Sequence, residues 1–528
     1  MAQRDITSER YIDGKPKIRR YHQAKWDEPV IFELSVPGQR GILVPEPEDE
    51  IVAAAGDVLA DLPAGMRRTQ PPALPELSQP QVVRHYGRLS QENLGADFNI
   101  DIGQGTCTMK HNPKINDQLA TSPKLLDLHP FQDDASLQGI LELMYRFEQI
   151  LKEVSGLDRF TLQPGAGSAA IYANISIIRA YHASRGDSEQ RDEIITTIFS
   201  HPSNAACAKT AGFKVITLYP DDDGYPDLDA LKAAVSDRTA GLLITNPEDT
   251  GIYNPKIAEF VRVVHEAGGL CSYDQANANG ILGITRAREA DFDLCHFNLH
   301  KTFSSPHGCG GPGLGATGVR EDLERFLPSP LIAFDGEKYH LDYNRPDSVG
   351  KVGAFHGVPA VVVRAYAWAM ALGADGLREV SEIAVLNNNY LLKKMLELPG
   401  LSAPYAKGKR RIEQIRYSWE KLTEETGIHS EELGIRAADF GLHYWTSHHP
   451  FVVPEPCTLE PTESYSKDEL DEYVGVIAHV VDEAYNDPEK VRTAPHNATV
   501  HTIEHEPFDD PAQWAVTWRA YRRKVGSD

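Results

Sequence analysis

Four segments of the chain place polar or small residues directly after a short apolar run. One is a small-residue loop at residues 163–170, and the other three hold His201 with Asn204, Asp274, and Lys301. In an open α/β sheet the ligand binds beyond the carboxyl ends of the strands, so residues at these ends are the candidates for chemistry. We therefore predict that these four segments meet at one edge of a sheet.

The loop at residues 163–170 reads QPGAGSAA and opens a predicted helix. Backbone N–H groups at a helix start, together with the positive end of the helix dipole, suit a phosphate group. The loop has neither the GK[ST] ending of a P-loop nor the GxGxxG pattern of dinucleotide-binding proteins. Taken alone, it is also compatible with a tight turn that only packs closely.

Lys301 and Asp274 each end an apolar strand and are separated by one short connecting segment. A lysine in this position is costly unless its charge is removed or paired, and a Schiff base removes the free amine. A buried carboxylate likewise needs a cation or a hydrogen-bond donor. The two strand ends can therefore bracket one flat ring.

Pyridoxal 5′-phosphate explains these features together. Its phosphate fits the helix start, its ring fits near His201, Asp274 keeps the ring nitrogen protonated, and Lys301 forms the Schiff base. The alternative is an α/β protein whose strand ends are merely polar, with His201 as a half-buried, hydrogen-bonded histidine. The candidate catalytic residues are Lys301, His201 and Asp274. The candidate cofactor-binding residues are Gly167, Ser168, Ala169, His201, Asn204, Asp274, Asn277, His300, Lys301 and Thr302.

Short apolar runs alternate with helical patterns from about residue 140 onward. The predicted strands are RFTLQP, EIITTIFS, KVITLYP, AGLLITNP, GLCSYD and DLCHFNLHK, and amphipathic segments such as IAEFVRVVHEAGG lie between them. Such alternation indicates a mostly parallel sheet covered by helices on both faces. We predict an irregular N-terminal extension (1–115), a large α/β domain (116–350) that binds the cofactor, and a smaller C-terminal α+β domain (351–528).

Composition excludes several other classes of protein. The formal net charge of −23 argues against a nucleic-acid partner, and the six cysteines, Cys107 among them, form no CxxC pair. No apolar run approaches the length of a membrane span, and the N-terminus lacks an apolar signal segment. The histidines of SHHPF, at 447–451, have no partner at metal-ligand spacing. These features predict a cytoplasmic enzyme without a metal site.

Longer motifs carry a resemblance to a known family. The chain resembles the pyridoxal-phosphate-dependent glycine decarboxylase of the glycine cleavage system, specifically the second subunit of its two-subunit form. The segments that carry the resemblance are IFELSVPGQRG (31–41), LPELSQPQVVRHYGRLSQ (74–91), GTCTMKHNPK (105–114), FNLHKTFSSPHGCGGPG around Lys301, LDYNRPDSVG (341–350) and EPTESYSKDELD (460–471).

The resemblance implies a fold of the aspartate-aminotransferase type (fold type I), with the cofactor at a domain interface. It also implies a first subunit of similar fold that lacks the lysine, in an α2β2 assembly. In this family glycine loses CO2 at the cofactor, and the aminomethyl group passes to the lipoyl arm of a small carrier protein. Glycine decarboxylation is therefore the predicted activity.

Several positions depart from the pattern of the family. The phosphate loop lacks a glutamate and one glycine, Gln275 follows Asp274 where glycine is usual, and Glu413–Gln414 replaces a His–Glu pair. These departures keep two alternatives open. One is decarboxylation, retro-aldol cleavage or transamination of another amino acid without a lipoyl carrier. The other is a non-catalytic subunit, against which the intact Asp274 and Lys301 argue.

Overall fold

The computed structural model describes most of the chain, with gaps. The described residues are 11–12, 15–70, 72–95, 97–103, 110–306, 311, 313–444, 452–499, 514–515, 517–524 and 526. Cys107, the SHHPF histidines and the glycine-rich segment 307–310 lie outside them. The chain divides into two compact units, one comprising Met1–Arg19 with Ala96–Thr493 and the other Arg20–Gly95 with Ala494–Asp528. The boundaries predicted at residues 116 and 351 remain a prediction.

Strands and helices alternate through the middle of the chain. The described strands are β1 (Tyr11–Ile12), β2 (Lys15–Pro16), β3 (Arg159–Thr161), β4 (Glu193–Thr197), β5 (Lys214–Leu218), β6 (Thr239–Thr245), β7 (Leu270–Gln275), β8 (Leu294–Asn298), β9 (Gly315–Val319), β10 (Leu331–Phe334), β11 (Tyr339–Asp342), β12 (Ile415–Ser418) and β13 (Pro456–Leu459). The described helices are α1 (Asp49–Ala55), α2 (Gln79–Gln91), α3 (Lys114–Ala120), α4 (Pro123–Leu126), α5 (Gln138–Ser155), α6 (Gly167–Arg185), α7 (Pro202–Thr210), α8 (Leu228–Ala234), α9 (Ile257–Glu266), α10 (Pro359–Met395), α11 (Glu420–Thr426), α12 (Ser430–Ala438), α13 (Lys467–Asn486), α14 (Pro488–Arg492) and α15 (Trp518–Lys524).

A seven-stranded sheet forms the centre of the larger unit, in the order β3-β9-β8-β7-β6-β4-β5. The pairs β8–β7, β7–β6, β6–β4 and β4–β5 are parallel, whereas β9 is antiparallel to both of its neighbours. The strands are buried along nearly their whole length, as expected for a sheet with helices on both faces. The predicted α/β fold class and all six predicted strands are confirmed.

The strand β9 was missed by the sequence analysis because it has the composition of a loop. It reads GATGV and contains two glycines. A Cβ at Gly315 would lie 2.6 Å from the carbonyl oxygen of Ala166, and one at Gly318 would lie 2.2 Å from the Phe160 ring. The glycines are therefore required by close packing against the start of α6 and against β3, which the sequence does not reveal.

The helix α5 shows how the local sequence sets an element. Its buried side chains, Leu141, Met144, Phe147 and Leu151 among them, recur at helical spacing, and the last three belong to the same hydrophobic core as side chains of the sheet. It ends at Gly156, whose φ of 72° is the left-handed conformation that favours glycine at a helix end. Apolar residues at helical spacing followed by a glycine are the sequence pattern that predicts such a helix and its end.

The long helix α10 is bent at Gly373, where φ is 65° and ψ is −175°. By length and composition alone it could cross a membrane, since an 18-residue window has a mean hydropathy of 1.2. In the structure, 44% of that window is buried within the protein. The core helix of a protein without a membrane span can have the same length and hydropathy, so these two properties alone do not indicate a span. Val362, Ala365 and Trp368 on this helix belong to the hydrophobic core beneath the sheet.

A second hydrophobic core lies around the antiparallel pair β12–β13. It contains Tyr417, Trp419 and Tyr473, all fully buried, together with side chains from α12 and α13. This second core therefore places residues from the C-terminal part of the chain next to the ends of the sheet strands, although the two are distant in sequence.

Candidate active site

The carboxyl ends of β3, β4, β7 and β8 lie at one edge of the sheet, because these strands run in the same direction. The loop before α6, the turn before α7, Asp274 and the turn that holds Lys301 therefore share this edge. The structure thus brings together the four segments that were singled out from the sequence.

Asp274 is the central charge of the site and is only 3% exposed. Its Oδ2 accepts a hydrogen bond from Asn204 Nδ2 (2.9 Å), and its Oδ1 accepts one from the Ala276 N–H (3.0 Å). Burial alone would raise the pKa of Asp274, but nearby His296, the Asn204 amide and His201 hold that pKa below its ordinary value. Asp274 is therefore an ionised carboxylate with its oxygens fixed by donors.

His296 lies beside Asp274 and was not identified from the sequence. The parallel register pairs the two residues, and His296 Nε2 is 3.3 Å from Asp274 Oδ1. Burial lowers the pKa of His296 and the Asp274 charge opposes this effect, so the ring is a buried neighbour of the carboxylate. The only signal in the sequence was a polar residue inside the apolar strand DLCHFNL.

Lys301 is 7% exposed and follows β8 in a tight turn, in which its N–H donates to the Asn298 carbonyl (3.1 Å). A second buried lysine, Lys110, binds the backbone of this turn. Lys110 Nζ donates to the Thr302 carbonyl (3.0 Å), pairs with Glu463 Oε1 (2.9 Å) and lies 4.6 Å from the centre of the Trp368 ring. Lys110 therefore fixes the backbone that presents Lys301.

Lys110→Met is expected to lower the free energy of unfolding by roughly 3–5 kcal/mol, because it leaves the Glu463 carboxylate without its cation in a buried setting. Equilibrium urea unfolding of the cofactor-free chain measures this loss. Lys114→Met is the matched control, since Lys114 and Asp97 form an exposed pair with 61% and 56% of their side chains accessible. Its loss should stay below about 1 kcal/mol, and equal losses in the two variants would contradict the role of Lys110.

His201 lies at the N-terminus of α7, as the sequence predicted for a residue after β4. Its Nδ1 accepts from the Ser203 N–H (3.1 Å) and lies 2.6 Å from Ser203 Oγ. Because Nδ1 accepts a backbone N–H, the proton of the neutral ring is on Nε2. A positive charge on His201, when the ring is protonated, favours the ionised form of Asp274.

The phosphate-loop prediction is tested by the surroundings of Gly167, the first residue of α6. A Cβ at this position would lie 2.5 Å from Asn298 Nδ2 and 2.8 Å from Oδ1. Asn298 is 5% exposed, so its side-chain amide lies buried beside the start of this helix. The first N–H groups of a helix also lack intrahelical acceptors. With Ser168 exposed and Ala169 half-buried, this arrangement fits a phosphate group.

Three further candidate residues make hydrogen bonds within the protein. Asn277 Nδ2 donates to Glu460 Oε1 (2.8 Å), Thr302 Oγ1 accepts from the Ala278 N–H (2.9 Å), and His300 Nδ1 accepts from the Leu314 N–H (3.2 Å). These contacts brace the loops that follow β7 and β8. Direct contact of these residues with a cofactor stays a prediction.

Glu248, in the loop after β6, is a buried acid that the sequence analysis did not single out. It is 2% exposed and accepts a hydrogen bond from Thr197 Oγ1. Burial is the main cause that raises its pKa to about 8. The folded chain therefore holds a proton here that the unfolded chain has already lost above about pH 5.

The stability of the chain is accordingly expected to fall as the pH rises from 5 to 8, and Glu248→Gln should reduce this fall. The upper limit of the effect is about 1.4 kcal/mol per pH unit, the value for one proton. Urea unfolding at pH 5 and pH 8 measures the difference. Glu424→Gln, at an exposed position of α11, is the control and should leave the slope unchanged. A parallel response of both variants would contradict this prediction.

The sequence is closely similar to curated proteins of one family. It is 47% identical over 508 residues to the probable glycine dehydrogenase (decarboxylating) subunit 2 of Pyrococcus furiosus, which covers 95% of this chain and 98% of that protein. The chain belongs to the glycine dehydrogenase (decarboxylating) subunit 2 family. The Halalkalibacterium halodurans member of this family is 40% identical over 478 residues, with 90% of this chain and 96% of that protein covered. The predicted family is therefore confirmed.

Family models and solved structures agree with this membership in the glycine dehydrogenase subunit 2 family. Residues 168–412 match the aminotransferase class-V model, and residues 380–507 match the C-terminal domain of glycine dehydrogenase. A crystal structure of glycine decarboxylase (P-protein) of the glycine cleavage system, in inhibitor-bound form, superposes with a TM-score of 0.71 at 20% identity and covers 83% of this chain and 100% of that one. A NifS-like protein superposes with a TM-score of 0.56 at 17% identity, covering 72% and 99%. Both structures support the predicted fold type.

Proposed function

We propose that this chain is a pyridoxal-phosphate-dependent glycine decarboxylase subunit that transfers the aminomethyl group to a lipoyl carrier protein. The observation that carries the proposal is the buried pair of strand ends: an ionised Asp274 lies near the end of β7, and Lys301 follows the neighbouring parallel strand β8. Family membership, at 47% identity over nearly the whole chain, makes glycine the substrate of choice.

The residues at the sheet edge fit the cofactor of aminotransferase class-V domains. The start of α6 at Gly167, where the first backbone N–H groups lack intrahelical acceptors, would hold the phosphate group. Lys301 would attach the cofactor covalently, and Asp274 would bind the proton on the ring nitrogen. When bound, pyridoxal phosphate supplies a protonated ring that accepts the electron pair left by the departing carboxylate.

The side chains of this chain have separable tasks in that reaction. Asp274 holds a proton at the ring nitrogen, because an ionised carboxylate at this position favours the protonated ring. Asn204 and the Ala276 N–H fix the two oxygens of Asp274, so that the carboxylate does not reorient. Lys110 holds the turn of Lys301, and Lys301 Nζ binds the cofactor and moves protons.

The partners follow from the family. The relatives are named as second subunits, which favours a separate first subunit, and we infer an α2β2 assembly that meets the lipoyl carrier. A cytoplasmic location is part of the same proposal. The chain has a formal net charge of −23, which would repel the phosphate backbone, so a nucleic acid is an unsuitable partner.

The proposal is tested with the purified chain, alone and together with the first subunit. Glycine is expected to shift the visible absorption of the bound cofactor, and the complex should exchange the glycine carboxylate with labelled bicarbonate when the lipoyl carrier is present. A cofactor band that ignores glycine but responds to another amino acid would move the activity to that substrate. Absence of any cofactor band would favour a non-catalytic subunit.

A further inference from the structure

One segment near the N-terminus is wholly exposed and has no part in the function described above. Residues 41–66, which we call the N-terminal arm, are all exposed, and the helix α1 within the arm buries no side chain. The hydrogen bonds of the arm are local: the Gly56 N–H donates to the Val52 carbonyl (3.0 Å), and Arg67 Nη2 donates to the Ala60 carbonyl (2.9 Å). The arm is therefore folded locally, but none of its side chains is buried against the described part of the chain.

The N-terminal arm is rich in large apolar side chains. Nine of them expose between 48% and 80% of their surface: Ile42, Leu43, Val44, Ile51, Val52, Val58, Leu59, Leu62 and Met66. Together they expose roughly 1,000 Å², more than the largest apolar patch of a typical monomer and comparable with the area that one partner gives to a stable interface. An exposed segment of this composition is typical of a protein docking site.

The arm is also amphipathic. Its apolar residues recur at the spacing of one helix face, namely Ile51, Val52, Ala55, Val58, Leu59 and Leu62. The same periodicity places Glu50, Asp57 and Asp61 on the opposite face. The helix α1 covers only seven residues, and an isolated helix of this length is marginal in water. An apolar surface on a partner would supply the packing that α1 lacks.

The charge of the arm restricts the kind of partner. The arm has no basic residue and six acidic ones, which are Glu46, Glu48, Asp49, Glu50, Asp57 and Asp61. A second copy of this chain, with its net charge of −23, would repel an acidic segment. Helices that bind membrane surfaces carry basic residues on the polar face, which the arm lacks. The charge therefore favours a different protein, with an apolar groove that is edged by lysine and arginine.

We propose that the N-terminal arm is the segment by which this chain docks on the first subunit of the assembly. The apolar face of the arm lies in a groove of that subunit, and the acidic face meets basic side chains at the edge of the groove. The inference deepens the proposed function and rests on it, because the separate first subunit is taken from there. It assigns no step of the reaction to the arm.

The test measures the affinity of the purified full-length chain for the purified first subunit by isothermal titration calorimetry, without glycine. The double variant Leu59→Asp, Leu62→Asp is expected to bind about 10- to 100-fold more weakly, because it places charges in the apolar face of the arm. The free energy of unfolding of the variant chain alone should equal that of the wild type, since neither leucine is buried in this chain. Leu386→Asp is the matched control, because Leu386 is 69% exposed on α10 in the other unit, and it should bind as the wild type does.

The acidic face is tested separately through the rate of association. The triple variant Glu50→Gln, Asp57→Asn, Asp61→Asn should associate several-fold more slowly at low salt and should show a weaker dependence on salt, because charges at the edge of an interface mainly steer the encounter. Surface plasmon resonance at low and high salt measures both rates. A variant with the three exposed acids Asp221, Asp222 and Asp223 changed to asparagine carries the same charge change outside the arm and is the control.

Equal affinity of the wild type and of Leu59→Asp, Leu62→Asp for the first subunit would overturn the proposal, as would a wild-type chain that does not bind that subunit. A loss of stability in the isolated double variant would show that the arm packs on its own chain, and would also contradict the proposal. A wild-type chain that forms a dimer, which the double variant dissociates, would make a second copy the occupant and refute the first subunit. A complex that depends on the arm but does not turn over glycine would refute the proposed substrate and leave the docking segment standing.

Discussion

Lys301→Ala is expected to abolish covalent attachment of pyridoxal phosphate and, with it, turnover of glycine. Alanine lacks the amine that a Schiff base requires. Lys110, the other buried lysine near this turn, is already engaged by Glu463 and by the Thr302 carbonyl and cannot replace it. Borohydride reduction followed by intact-mass measurement should fix one cofactor to the wild-type chain and none to the variant.

Lys256→Ala is the control for this experiment, because Lys256 is exposed at the start of α9. It should retain the cofactor adduct and the activity. An adduct of normal yield in Lys301→Ala would show that another lysine carries the cofactor. That result would remove the basis of the proposed site, since the strand-end position of Lys301 defines it.

Asp274→Asn is expected to lower kcat/KM for glycine by roughly 100-fold or more, because the charge that keeps the ring nitrogen protonated is lost. The asparagine amide also has an NH2 group, which would face one of the two donors that hydrogen-bond to Asp274, either Asn204 Nδ2 or the Ala276 N–H. Steady-state exchange of the glycine carboxylate with bicarbonate measures the effect. Covalent cofactor attachment should persist, since Lys301 is unchanged.

Asp293→Asn separates this effect from the general loss of a buried charge. Asp293 is 0% exposed directly before β8, where it pairs with His265 Nε2 (2.8 Å) and with Arg320. It lies at the opposite end of the strand from the site. The control should reduce stability but leave kcat/KM nearly unchanged in the folded protein. Unimpaired turnover in Asp274→Asn would refute the role assigned to Asp274.

A second buried carboxyl group, Glu460, adds a pH dependence to this picture. Asp274, whose pKa is lowered, stays ionised at neutral pH, whereas Glu460, with a pKa of about 7, changes its charge there. The environments of the two carboxyl groups differ: hydrogen-bond donors and nearby histidines hold the pKa of Asp274 down, whereas burial is the main cause of the raised pKa of Glu460. Opposite shifts of two carboxyl groups are the usual sign of different roles in a site.

The sequence alone determined the sheet edge and the main residues on it. Asp274 and Lys301 end apolar runs, and helical patterns separate the strands, so both residues could be placed at the same edge by the rule for parallel sheets. The loop at Gly167 was placed for the same reason. These assignments depend on local patterns, which a single sequence displays directly.

Only the tertiary structure decided which side chains meet across elements. His296 reaches Asp274 through the register of β7 and β8, and Asn277 donates a hydrogen bond to Glu460, which is distant in sequence. Register and long-range packing set these contacts, and neither follows from the spacing of residues along the chain.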